Sequence, residues 1–215
     1  MYKKIAVSLA LAFTAAVTAH ATPLGLNTTV TPAAGSFGTL NQVANTGVRT
    51  GTTSTFSVQY GQSVAFDTNN PLGGLDFTYA FDNIGTTGVV ESVSVYNFDG
   101  FLTDAIFVTK AGDIAPVTAT RSTTGAGSVI RFDFAVPGVG AGQSSDYLVL
   151  RTNATNYTTG NFTFQDGSTF QDLNVFAPAA AAAVTPEPSS LVLLGTGLLG
   201  AAGIARRKFA SKFGV

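Results

Sequence analysis

A carboxylate flanked by two prolines, Glu187 between Pro186 and Pro188, is the one constellation in this chain whose spacing a second molecule could read. Each proline fixes its own φ and pushes the residue before it, Thr185 or Glu187, toward extended backbone. The tripeptide is therefore held extended with its charge in the middle. A processing enzyme prefers that form, because it must reach backbone and side chains on both sides of a cut. Other reactive residues are sparse. The only histidine is His20, near the N-terminus, and there is no cysteine. Residues 22–185 thus offer no His-based triad, no thiolate and few of the usual metal ligands. Gly61-Gln62-Ser63 and Gly142-Gln143-Ser144 begin like a nucleophile elbow but lack its second glycine. Lys110, the one lysine of this region, has no serine three residues before it.

Carboxylates remain. Residues 22–185 hold five basic side chains against eleven acidic ones, a net charge of −6. An acidic, lysine-poor surface argues against nucleic acid and anionic lipid as partners. Asp99, Asp104 and Asp113, or Asp166 and Asp172, have the oxygen chemistry calcium needs, but no Asp-x-Asp-x-Asp-Gly loop is present, and turn or solvent roles are the expected ones. A paired-carboxylate hydrolase is a third-rank reading for the same reason. No cofactor site and no enzymatic activity are expected.

Both ends of the chain are apolar segments next to basic clusters. At the start, Lys3 and Lys4 precede an apolar run from Ile5 to Val17, and Ala19-His20-Ala21 places small residues, Ala19 and Ala21, where signal peptidase reads them. Residues 1–21 read as a secretory signal cut after Ala21, so the general secretion machinery and signal peptidase are expected partners. At the other end, residues 189–205 carry no charge and hold Leu191, Val192, Leu193, Leu194, Leu198, Leu199 and Ile204. As a helix at 1.5 Å per residue this segment spans about 25 Å, short of the ~30 Å hydrocarbon core. Its large aliphatic residues contribute about −3 kcal/mol to insertion, a gain weakened by Gly195, Gly197, Gly200 and Gly203. The reading is a transmembrane helix over 189–205 that anchors weakly. Arg206, Arg207 and Lys208 follow at once, and by the positive-inside rule they stop transfer and keep the tail 209–215 cytoplasmic.

Between the ends, period-two alternation predicts strands. Phe56, Val58 and Tyr60 alternate with Ser57 and Gln59; Leu75, Phe77, Tyr79 and Phe81 with Asp76, Thr78 and Ala80; Ile130, Phe132, Phe134 and Val136 with Arg131, Asp133 and Ala135. The alternation puts the apolar set in a core and the polar set in water. Gly88 to Phe98 reads as a long central strand, Ala105 to Val108 and Tyr147 to Leu150 as shorter buried ones. Asp166-Gly167, between two Phe/Thr-rich runs, predicts a hairpin with a type I′ turn. Residues 22–54 are a Thr/Gly/Asn-rich arm without clear period. The expected organisation is a signal over 1–21, that arm, a β domain over 55–176, an Ala-rich linker over 177–185 and the C-terminal segment 186–208. No helical period is sustained between 56 and 176, so the fold class is all-β, an antiparallel β-sandwich or jelly roll. The abundant phenylalanines fall on core positions; Tyr157, in a polar stretch, is the best candidate for an exposed aromatic.

Pro186-Glu187-Pro188-Ser189-Ser190-Leu191, the Leu/Gly run through Gly200, and Arg206-Arg207 together resemble the PEP-CTERM sorting signal. The resemblance covers about residues 185–208 and is specific, because motif, apolar span and basic end occur in order. It implies export by a Gram-negative bacterium, processing by exosortase, a membrane cysteine transpeptidase, and association with exopolysaccharide and biofilm matrix. It says nothing of residues 22–184, since members of that family carry unrelated domains there. The expectation is an exported, transiently membrane-anchored protein delivered to the cell surface or extracellular matrix. A carbohydrate-binding module of the envelope or matrix is the alternative.

Overall fold

The structure is a computed structural model that describes residues 23–181 and 193–202. The chain divides into two units, residues 1–180 and 181–215. The first is mostly β. Its early strands are β1 (Thr29–Val30), β2 (Ala33–Ala34), β3 (Leu40–Asn45), β4 (Arg49–Thr52), β5 (Ser57–Asp67) and β6 (Leu75–Asn83). Then come β7 (Val89–Val90), β8 (Ser92–Val95), β9 (Thr103–Val108), β10 (Pro116–Arg121) and β11 (Ile130–Phe134). The last are β12 (Val139–Gly140), β13 (Tyr147–Thr152), β14 (Asn156–Asp166) and β15 (Ser168–Ala179). In the second unit residues 193–202 form a helix, α1.

Two large sheets share one core. The first runs β1-β10-β11-β8-β14-β15; the second runs β2-β9-β13-β6-β5-β3, with β4 also paired to β5. The alternating residues meet between them: Phe132, Phe162 and Phe164 from the first sheet, Val58, Phe77, Phe81, Leu148 and Leu150 from the second, all buried. Rings cross the gap directly. Phe81 stands edge-on to Phe134 and Phe164, and Tyr79 lies 5.0 Å from Phe162. Such pairs add about 0.5–1.5 kcal/mol each beyond the area they bury.

Three expectations are corrected. The second sheet is mixed rather than purely antiparallel, because β2 pairs parallel with β9; the first is antiparallel throughout, as expected. The Val-rich run 88–98 is two strands, β7 and β8, broken at Glu91, whose N–H donates to the Gln165 carbonyl while its own carbonyl accepts from Phe134. The hairpin forms at Asp166-Gly167, but Asp166 pairs with Ser168 and only Gly167 takes positive φ, so the turn is not type I′. A type I′ turn needs positive φ at both central residues; here the Asp166 backbone carbonyl and carboxylate are engaged by Thr55 and by the Val89 N–H. Residues 29–52, where the sequence shows no clear period, form β1 to β4.

Between β2 and β3 the chain crosses from one edge of the second sheet to the other in five residues, 35–39. Ala34, on edge strand β2, pairs with Phe107 of β9, and Leu40, on the opposite edge strand β3, pairs with Asp67 of β5. This crossing strap covers the outer face of the sheet, so that face is not simply solvated.

Candidate functional site

The residues with readable spacing fall in the C-terminal unit. Pro186, Glu187, Pro188 and the basic cluster Arg206, Arg207 and Lys208 lie outside the described residues, as do Ala19 and Ala21 at the N-terminal end. Of the expected helix 189–205, residues 193–202 are described and are helical. Leu193, Leu194, Leu198 and Leu199 stand exposed on α1, Leu193 at 75%. A helix that shows this much leucine to its surroundings has no core of its own to bury it, and such surfaces mark partner or membrane contact. Thr196 donates its hydroxyl to the Leu193 carbonyl at 3.1 Å, which leaves no free hydroxyl on this stretch of the helix. Ten residues rise about 15 Å, half the hydrocarbon thickness. Among the described residues no helix is long and apolar enough to cross a membrane; both ends of the expected span 189–205 lie outside them.

Three of the five carboxylates weighed as calcium ligands have other partners. Asp113 pairs with Lys110 at 2.6 Å, Asp166 accepts from Val89, and Asp172 takes the Arg49 guanidinium at 2.7 Å and the Tyr60 hydroxyl at 2.8 Å. Among the described residues no group of three or more His, Cys, Asp or Glu side chains is placed to hold a metal ion. Burial opposes the charge on Asp172, but the Asn174 N–H, Tyr60 and Arg49 outweigh it and hold its carboxyl below the usual range. Burial and the Asp172 hydrogen bond push the Tyr60 phenol up.

A second polar group lies on the outer face of the second sheet. Asp76 on β6, Arg151 on β13 and Asp104 on β9 are cross-strand neighbours in one row. Arg151 Nε is 3.6 Å from Asp76 Oδ2, and its Nη2 is 3.6 Å from Asp67 Oδ2 and donates to the Ser36 carbonyl at 3.1 Å. Alternation alone places Asp76 in water; it is 1% exposed. The strap is the reason. Burial raises the Asp76 carboxyl to about 7, against the lowering pull of Arg151 and with a further push from Asp67. Burial also raises Asp104. Gln62, Arg121 and Arg151 escaped the sequence reading because most of their partners are distant in sequence: backbone groups for Gln62 and Arg121, the Ser36 carbonyl with Asp67 and Asp76 for Arg151. Tyr157 is 39% exposed, with its hydroxyl on the Val43 carbonyl and its ring edge-on to Phe176.

Beyond the β-sandwich, the C-terminal unit carries the one segment that a comparison with known families matches. Residues 184–208 match the family model of the PEP-CTERM protein-sorting motif. That motif implies an exported protein, transiently anchored in the membrane and sorted by exosortase. No curated protein and no solved structure shows significant similarity to the chain.

Proposed function

We propose that this chain is a non-enzymatic, exosortase-processed protein of the cell surface or extracellular matrix, associated with exopolysaccharide and biofilm, whose β-sandwich is the cargo. The observation that carries the reading is the order of parts within 184–208: the Pro186-Glu187-Pro188 motif, the leucine-rich segment that contains α1, and the basic end. The leader 1–21 directs export and is cut after Ala21. Leu24, three residues on, is buried and donates its N–H to the Thr103 carbonyl at 2.6 Å, so the mature chain enters the fold almost at once. Residues 189–205 then hold the motif at the outer surface of the cytoplasmic membrane while exosortase acts, with Arg206, Arg207 and Lys208 on the inner side.

Intact-mass measurement of the protein recovered from its native host tests this. The expected mass starts at Thr22 and lacks Arg206-Arg207-Lys208. A mature species that still carries the basic end overturns the processing claim. Glu187→Ala is expected to leave the unprocessed chain in the membrane fraction.

A further inference from the structure

We propose that residues 35–39 form a strap whose closure over the outer face of the second sheet is governed by one proton held on Asp76 beside Asp67. The outer face is unusual in what lies beneath the strap. Ala65, Ile106 and Val149 are buried there although none belongs to the shared core between the sheets, with Ile106 5% and Val149 0% exposed. They face away from that core, in register with the ionic row: Ala65 opposes Asp76 on β6, and Val149 opposes Ile106. Burial on this side therefore depends on the strap.

The strap is fastened at four points. Gly35 N–H donates to the Phe107 carbonyl at 2.8 Å. The Ser36 carbonyl accepts from Arg151 at 3.1 Å. Phe37 packs edge-on against Tyr147, with ring centres 5.8 Å apart. Gly38 N–H donates to Asp67 Oδ1 at 2.8 Å. The approach is close: a Cβ on Gly35 would meet Ile106 Cδ1 at 2.6 Å, and one on Gly38 would meet Asp67 Oδ1 at 2.8 Å, so either neighbouring side chain would have to shift.

Two of the four fastenings run through the ionic group, and that group is short of hydrogen. Asp67 Oδ2, both carboxyl oxygens of Asp76 and Arg151 Nε are buried without a hydrogen-bond partner. Three unpartnered carboxyl oxygens of this group thus face, among the described residues, one unpartnered donor, the Arg151 Nε–H, so the ionised carboxylates are short of donors. Asp67 Oδ2 and Asp76 Oδ2 each lie 3.6 Å from the same Arg151 guanidinium, so a proton on Asp76, beside the Asp67 carboxylate, supplies a missing donor. The charged groups facing Asp76 are Asp67 from the end of β5, Arg151 from β13 and, beyond Arg151, Asp104 from β9. The strap itself, Gly35-Ser36-Phe37-Gly38-Thr39, brings none. With the proton in place, Arg151 balances one carboxylate of the pair. Without it, two carboxylates and Asp104 crowd a single guanidinium in a dry site, and opening the strap to admit water relieves the excess charge. The closed strap binds more protons than the open one, so closure weakens as pH rises from the ordinary carboxylate range to neutrality and is flat beyond it. The device hides Ala65, Ile106 and Val149 in mildly acidic surroundings and uncovers them above neutrality.

Hydrogen exchange of the Gly35 and Gly38 amides in the full-length chain tests the proposal. After correction for intrinsic exchange, protection at about pH 5 is expected to exceed that at about pH 8 by tenfold or more, roughly the change one proton gives per pH unit in the window. Asp76→Asn, which keeps the shape and a donor, is expected to hold the strap closed at both pH values. Asp104→Asn is expected to retain the wild-type dependence, and Gly35→Val to lower protection at both. Wild-type protection independent of pH, or a dependence that survives in Asp76→Asn, overturns the proposal. Should Asp76→Asn fail to fold, carboxyl-carbon NMR of the wild type decides: a midpoint for Asp76 near the value of about 7 supports the proton on Asp76, and an ordinary carboxylate midpoint refutes it.

Discussion

The side-chain amide of Gln62 pairs with the backbone of Phe176 in both directions. Gln62 Nε2 donates to the Phe176 carbonyl at 2.7 Å, and Gln62 Oε1 accepts from the Phe176 N–H at 2.6 Å. One side chain of β5 thereby serves edge strand β15 as a neighbouring strand would, and it joins the two sheets along this side. The Arg49–Asp172–Tyr60 group fastens the same seam further along β15. Hydrophobic burial holds the centre of the sandwich, but the seam depends on directional polar bonds.

Gln62→Leu is therefore expected to destabilise the domain by about 2–4 kcal/mol. It strands the part-buried Phe176 N–H, at about 1–3 kcal/mol, and leaves the Phe176 carbonyl only the long 3.5 Å bond from the Tyr79 hydroxyl, besides removing polar contacts across the seam. Urea unfolding should show a lower midpoint with an unchanged slope. A loss under about 0.5 kcal/mol would mean that β15 is held without this pairing.

Arg121 presents a harsher case. It sits on the inner side of β10, buried, and its four hydrogen bonds go to the carbonyls of Gly127, Leu24, Phe98 and Phe101. Burial lowers its pKa, opposed by Asp99. Only a planar fork reaches carbonyls from this many directions. Arg121→Lys keeps the charge yet should cost about 3 kcal/mol. It should also release the N-terminal residues near Leu24 to limited proteolysis. Wild-type protease resistance in Arg121→Lys would show that charge alone suffices.

The same residues show what the sequence could and could not reveal. Strands β5, β6 and β11 were legible because their large apolar residues alternate. Strand β10 was not: its inward positions include Ala119 and Arg121, while Val117 is exposed, so the pattern runs against the rule. Asp76 obeys the alternation and still ends up buried, because the strap comes from a stretch with no period of its own. Gln62 reads as an ordinary polar residue until Phe176 is placed beside it. The sorting motif over 184–208 was legible, since its information lies in local order of residue types rather than in contacts between distant ones.

Asp172 should dominate the acid limb of stability. Its folded carboxyl lies below the ordinary value, so at low pH the unfolded chain binds more protons than the folded one. The stability it contributes is complete above the ordinary carboxylate range and is lost as pH falls through the depressed folded value. With Arg49 one-third exposed, solvent screening limits the effect to about 1–2 kcal/mol. The gap in unfolding free energy between wild type and Asp172→Asn should be widest near about pH 6 and shrink toward about pH 3. A gap that does not change with pH would assign the loss to packing instead.

The helix of the sorting segment makes the last prediction. Gly195, Gly197, Gly200 and Gly203 remove insertion energy from a span that is already short. Replacing all four with leucine adds roughly 0.3–0.6 kcal/mol of favourable transfer at each site, and more from the helix propensity glycine lacks. The proposed temporary anchor should then become a lasting one. Cell fractionation is expected to find the fourfold variant in the membrane, with the β domain accessible to added protease from outside and the Pro186-Glu187-Pro188 motif intact. If the variant is processed and released like the wild type, the weakness of this helix has no part in sorting, and recognition rests on the motif and the basic end alone.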